Sequence, residues 1–112
     1  MLRQIIFSCV LLVCLAPLHA QAEEEPKSYT ITIKDHRFTP SELKVPAGHK
    51  IKLLVKNNDP TAEEFESHDL HREKIIPGGA DAVITLRPLD KGTYKFFGEF
   101  HEETAQGYII AE

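Results

Sequence analysis

"TAEEFESHDLHREK", Thr61 to Lys74, is the stretch whose conformation decides the fold class. Thr61 followed three residues later by Glu64 makes a capping box, and the residues after it are good helix formers. Yet the large apolar residues are Phe65 and Leu70 alone, which make no helical stripe. Read as a strand, Phe65 points inward while Glu64, Glu66 and His68 line the opposite face. The local pattern supports helix and strand equally, and the flanking chain tips it towards strand.

Working outward, short segments alternate apolar and polar residues with period two. "SYTITIK" places Tyr29, Ile31 and Ile33 on one face, "SELKVP" turns Leu43 and Val45 inward, and "KIKLLVK" does the same with Ile51, Leu53 and Val55. "ADAVITLRP", "GTYKFF" and "GYIIAE" follow, separated by the turn strings "PAGH", "NNDP", "PGGA" and "PLDKG". Short alternating strands punctuated by Pro and Gly predict an all-β sandwich or barrel. The chain holds no internal repeat.

The 112 residues allow one domain. Arg3, the apolar run from Ile5 to Leu15 and the A-x-A string Ala20-Gln21-Ala22 read as a secretory signal peptide over residues 1–22, cut after Ala22. Cleavage after Ala20 is the nearest alternative, and a lipoprotein site at Cys14 is weakened by the bulky Val13 before it. The apolar run is shorter than the roughly 20 residues of a bilayer span. A polar leader, residues 23–28, then precedes a domain over residues 29–112. Cys9 and Cys14 both fall inside the signal, so the mature chain is expected to lack any disulfide, thiolate ligand or cysteine nucleophile. Asp and Glu number 17 against 13 Lys and Arg, an acidic balance that argues against a nucleic-acid partner.

Ionisable side chains concentrate in two segments: Glu63, Glu64, Glu66, His68, Asp69 and His71, then Glu99, His101, Glu102 and Glu103. Most are expected on solvated faces, as are His36 and His49, each alone beside a turn. His101 stands apart, because an imidazole flanked by carboxylates in a loop between strands suits a transition metal. Nucleophile elbows, phosphate-binding glycine loops and H-E-x-x-H are missing. A chain without Trp offers little platform for sugar hydrolysis by paired carboxylates.

"FTPSELKVPAGHKIKLLVKNND" and "GTYKFFGEFHEETAQGYIIAE" resemble the opening and closing halves of a cupredoxin. The resemblance implies a Greek-key β-sandwich of about seven to eight strands. It also sets Gly98 where copper carriers have cysteine, His101 at their histidine and Thr104 at their methionine. Blue-copper electron transfer needs that thiolate, so it is excluded. "EFESHDLHREK" and "FFGEFHEETA" narrow the resemblance to the small exported EfeO-type cupredoxin-like proteins associated with bacterial iron permeases. That resemblance implies a periplasmic protein holding copper or iron at one hard nitrogen–oxygen site. It would aid iron oxidation or delivery, with an iron permease or another periplasmic iron-uptake component as partner. The expected metal ligands are His101 first, Glu66 and Glu103 next, then Glu64 and His68, with Glu99 and Glu102 outside the ligand set. Two alternatives stand beside this reading. One is a copper-dependent ferroxidase; the other is a metal-free interaction module on the same scaffold.

Overall fold

The computed structural model describes residues 12–14 and 25–112. The expected signal peptide and its cleavage point therefore lie outside the described residues, apart from 12–14.

Nine strands build the domain: β1 (Lys27–Lys34), β2 (Arg37–Thr39), β3 (Glu42–Val45), β4 (Ile51–Asn57), β5 (Glu63–Ser67), β6 (Arg72–Ile76), β7 (Asp81–Leu86), β8 (Gly92–Gly98) and β9 (Gln106–Ala111). A single 3-10 turn, Glu99–His101, links β8 to β9. The strands form two sheets, ordered β2-β1-β4-β7 and β3-β9-β8-β5-β6. Pairing is antiparallel except between β1 and β4 and between β3 and β9. This is the expected all-β, cupredoxin-like sandwich, with nine strands where seven to eight were expected. The additional ones are the short β2 and β6. β1 also takes in Lys27 and Ser28, which the composition had placed in the leader. Among the described residues no helix is long and apolar enough to cross a membrane.

The alternation read from sequence is the core. Ile31, Ile33, Ile51, Leu53, Val55, Phe65, Phe96 and Ile109 are all fully buried between the sheets. Phe65 and Phe96 stack with centroids 5.1 Å apart, and Phe38 meets Phe96 edge-on at 5.0 Å. Each such pair adds about 0.5–1.5 kcal/mol beyond its area.

The ambiguous Thr61–Lys74 stretch is a hairpin of β5 and β6. Its turn is held from outside: Ser67 Oγ donates to the Lys95 carbonyl (2.6 Å), and Asp69 accepts the Lys95 N–H (2.9 Å). Leu70 is buried beneath it. A helix here would have hidden Phe65 or Leu70 but not both, and tertiary burial overrides the capping box.

One further turn positions the site. β1 and β2 are joined by Asp35 and His36, with φ of 50° and 56°. Positive φ at both centres is the two-residue hairpin geometry that matches strand twist. The strain is offset by the buried Asp59, whose carboxylate accepts the N–H of Asp35 (2.7 Å) and of His36 (2.9 Å).

Candidate metal centre

At one end of the sandwich the β1–β2 turn, the start of β5 and the β8–β9 loop meet. The imidazoles of His36 and His101 stack there, with centroids 3.5 Å apart and planes 18° from parallel. Glu63, 1% exposed, lies beneath them. Its Oε2 is 2.6 Å from His101 Nδ1, and its Oε1 accepts the N–H of Phe100 (3.0 Å) and of Glu64 (3.0 Å). An ionised carboxylate only accepts, so this contact selects the tautomer of a neutral His101 with Nδ1–H, whose Nε2 then presents the lone pair. A carboxylate behind an imidazole is also the arrangement that fixes the ring of a metal-ligating histidine. His36 repeats the pattern more loosely, its Nδ1 lying 3.6 Å from Asp59. Donor atoms of His36, Glu63 and His101 all fall within 4.8 Å of one another. An open cleft of about 500 Å³, lined by His36, Glu99, Phe100, His101 and the loop to Thr104, gives them access to solvent.

The loop is tied down by its own backbone and by Thr104. The Ala105 N–H reaches the His101 carbonyl (2.9 Å), the Gly98 N–H reaches the Ala105 carbonyl (2.8 Å), and Thr104 Oγ1 donates to the His36 carbonyl (2.6 Å). Thr104, at the position of an axial methionine, thus serves as a latch between the two histidine-bearing segments.

A blue-copper centre does not fit these residues. A Cβ added at Gly98 would lie 2.6 Å from Glu63 Cδ and 2.7 Å from Ala105 Cβ. The Glu63 side chain fills the space a cysteine thiolate would need. A nitrogen–oxygen set for a harder ion does fit, since imidazole and carboxylate suit Cu(II) and iron.

A second group sits on the other side of β5. Alternation sends Glu63 and Phe65 towards the core and Glu64 and Glu66 to the outer face of the sheet. There Glu64, Glu66 and Glu99 bring carboxylate oxygens within 4.8 Å of one another. Burial, the neighbouring carboxyls of Glu73, Glu66 and Glu99, and the charge of Glu99 push the Glu64 carboxyl up to about 8. At Asp59 burial acts to raise the pKa. The N–H groups of His36 and Asp35, with the nearby charges of His36 and Lys34, outweigh it and hold the carboxyl below its usual range.

The expected single site is therefore two groups. His101 joins His36 and Glu63, whereas Glu64 and Glu66 join Glu99. Glu103 is exposed on the rim of the His101 cleft and belongs to neither group. His68 is 80% exposed, its Nδ1 3.9 Å from Glu66. His36, expected at the surface, is half-buried in the centre. Glu63 could have been found from sequence, because the alternation that turns Phe65 inward turns Glu63 inward as well.

The sequence matches the family described as "Cupredoxin-like domain" over residues 4–111. An uncharacterized protein of Rickettsia prowazekii (strain Madrid E) is 56% identical over 80 residues, 71% of this chain and 64% of that one, so the match covers under two thirds of the relative. Auracyanin A, a blue copper protein from the bacterium Chloroflexus aurantiacus, is 16% identical with a TM-score of 0.67, covering 78% of this chain and 99% of its own. The metal-binding domain of a Cu(I)-exporting P-type ATPase from Streptococcus pneumoniae is 15% identical with a TM-score of 0.64, covering 76% and 84%. At such identities the structures share the fold alone.

Proposed function

The chain belongs to the cupredoxin-like domain family, and on that premise we propose that it is a periplasmic metal-binding accessory of bacterial iron uptake. His36 and His101 would hold one copper or iron ion, with Glu63 behind the His101 ring. The observation that carries the reading is the clustering of two imidazoles with a buried carboxylate at the place where Gly98 and Glu63 bar a thiolate. When bound, such an ion supplies one-electron redox chemistry or serves as cargo for a permease. The chain's own residues set its character. Both imidazoles bring nitrogen, Glu63 fixes the His101 ring, and Thr104 keeps the two segments together. Imidazole and carboxylate favour the higher oxidation state over Cu(I), as suits a protein that handles ferric iron or oxidises ferrous iron. Phe100, 48% exposed beside the cleft, supplies an apolar contact for the partner that receives the metal.

The test is a Cu(II) titration followed by electron paramagnetic resonance, repeated on His101→Ala and His36→Ala. Stoichiometric binding with a nitrogen-coupled, non-blue signal that loses one nitrogen in each variant is expected. Growth of a deletion strain on limiting iron tests the transport role, which fails if growth is unchanged in both acid and neutral media. A signal insensitive to both histidine substitutions would remove the proposed centre.

A further inference from the structure

We infer that the outer face of the second sheet carries a separate, all-oxygen cation site formed by Glu64, Glu66 and Glu99. It is distinct from the histidine centre and made for a hard divalent or trivalent ion.

Three observations converge on it. The oxygens of the three side chains lie within 4.8 Å of one another. Like-charged carboxylates this close repel unless a cation or a proton lies between them. Secondly, Glu64 is only 6% exposed, yet its Oε1 has no hydrogen-bond partner, and neither has the buried Oε2 of Glu66. Buried carboxylate oxygens are ordinarily satisfied, and both of these belong to the cluster. Thirdly, no basic side chain among the described residues neutralises it. The ion pair it does make is the long contact from Glu66 to the exposed His68. Arg72, paired with Ser67 and three strand positions from Ile75 opposite Glu64, directs its guanidinium instead to the carbonyls of Thr85 and His71.

Strand register places the three side chains on one face. Glu64 and Glu66 are alternate residues of β5, so they share a face. Phe65 pairs with Gly98 in the β5–β8 register, and continuing that register sets Glu99 beside Glu64. On the other flank Glu66 pairs with Glu73 of β6, which adds a fourth carboxylate at the margin. An open cleft of about 410 Å³ lies beside Glu66 and Glu73, and Glu99 is exposed on the other flank. With oxygen donors only, the site suits Mn(II), Fe(III), Mg(II) or Ca(II) and disfavours copper relative to the imidazole pair. Two metals of different character could thus be held on opposite sides of one strand.

Mn(II) is the probe, because its six-line resonance disappears on binding and it ranks lowest in affinity at nitrogen sites. Titration of the purified protein should remove about one equivalent of the free-ion signal. Glu99→Gln and Glu64→Gln should each weaken that binding at least tenfold, while His101→Ala leaves it within twofold. The Cu(II) signal should show the reverse pattern, so failure of one site is visible apart from failure of the other. Glu99 is exposed, which makes Glu99→Gln decisive even if Glu64→Gln perturbs folding. No Mn(II) binding by the folded protein, or binding that survives Glu99→Gln, would overturn the inference. Loss in His101→Ala but not in Glu99→Gln would do the same, by assigning the ion to the histidine centre.

Discussion

Gly98→Ala inverts the usual consequence of replacing glycine. Gly98 has φ −94° and ψ 111°, an extended conformation open to any residue. With room for a methyl group, the substitution would stabilise by about 0.4–1 kcal/mol through the unfolded chain. The room is absent, since the new Cβ would meet Ala105 Cβ at 2.7 Å and Glu63 Oε1 at 2.8 Å. Overpacking of this kind costs about 1–3 kcal/mol. Pushing Glu63 aside also strains its bonds to the Phe100 N–H and to His101, at about 1 kcal/mol each. The net expectation is a loss of about 2–4 kcal/mol, which in a domain of this size lowers Tm by roughly 10–30 °C. Thermal melts of Gly98→Ala, Glu63→Ala and the double variant measure it. In the double variant the clash with Glu63 is gone, so the two effects should fall short of additive by about 1 kcal/mol or more. A rise in Tm for Gly98→Ala, or strict additivity, would refute the view that Glu63 occupies the cysteine position.

Two more expectations concern buried carboxylates. Asp59→Ala removes the acceptor that holds Asp35 and His36 at positive φ, and should cost about 2–3 kcal/mol in chemical denaturation. It should also detach His36 from His101, so that the copper signal loses a nitrogen. Asp59 contributes stability that is present above its unfolded pKa of 3.8 and lost as pH falls through the lower folded value. Glu64 acts in the opposite direction. Its pKa rises from 4.5 unfolded to about 8 folded, so in the metal-free protein its contribution is most favourable below pH 4.5 and declines as pH rises towards 8. Melts of metal-free protein at pH 5 and pH 8.5 should show a smaller drop in Glu64→Gln than in the parent; an equal drop would remove Glu64 as the cause.

The fold class was legible because burial repeats along the strands with period two, and Ile31, Leu53, Val55 and Phe65 all occupy the faces that alternation gave them. β6 escaped because most of its residues are exposed at a sheet edge, where nothing imposes an apolar pattern. β2 has only three residues, and Asp-His is a weak hairpin signal beside Asn-Gly or Asp-Gly. His36 was out of reach for a different reason. Its position depends on Asp59, which is remote in sequence, and local pattern carries no trace of that contact. Glu64 and Glu66 were rightly set on one face of a strand, but spacing could not say that His101 would turn to the other side of it.

The Thr104–His36 latch bears on when a metal can be acquired. The two imidazoles come from opposite ends of the domain's sequence, and the last loop must dock on the first hairpin before they stack. An unfolded chain holds no such pair, and binding free energy is released only as the sandwich closes. On the proposed function, the ion would therefore be chosen where folding is completed rather than where the chain is synthesised.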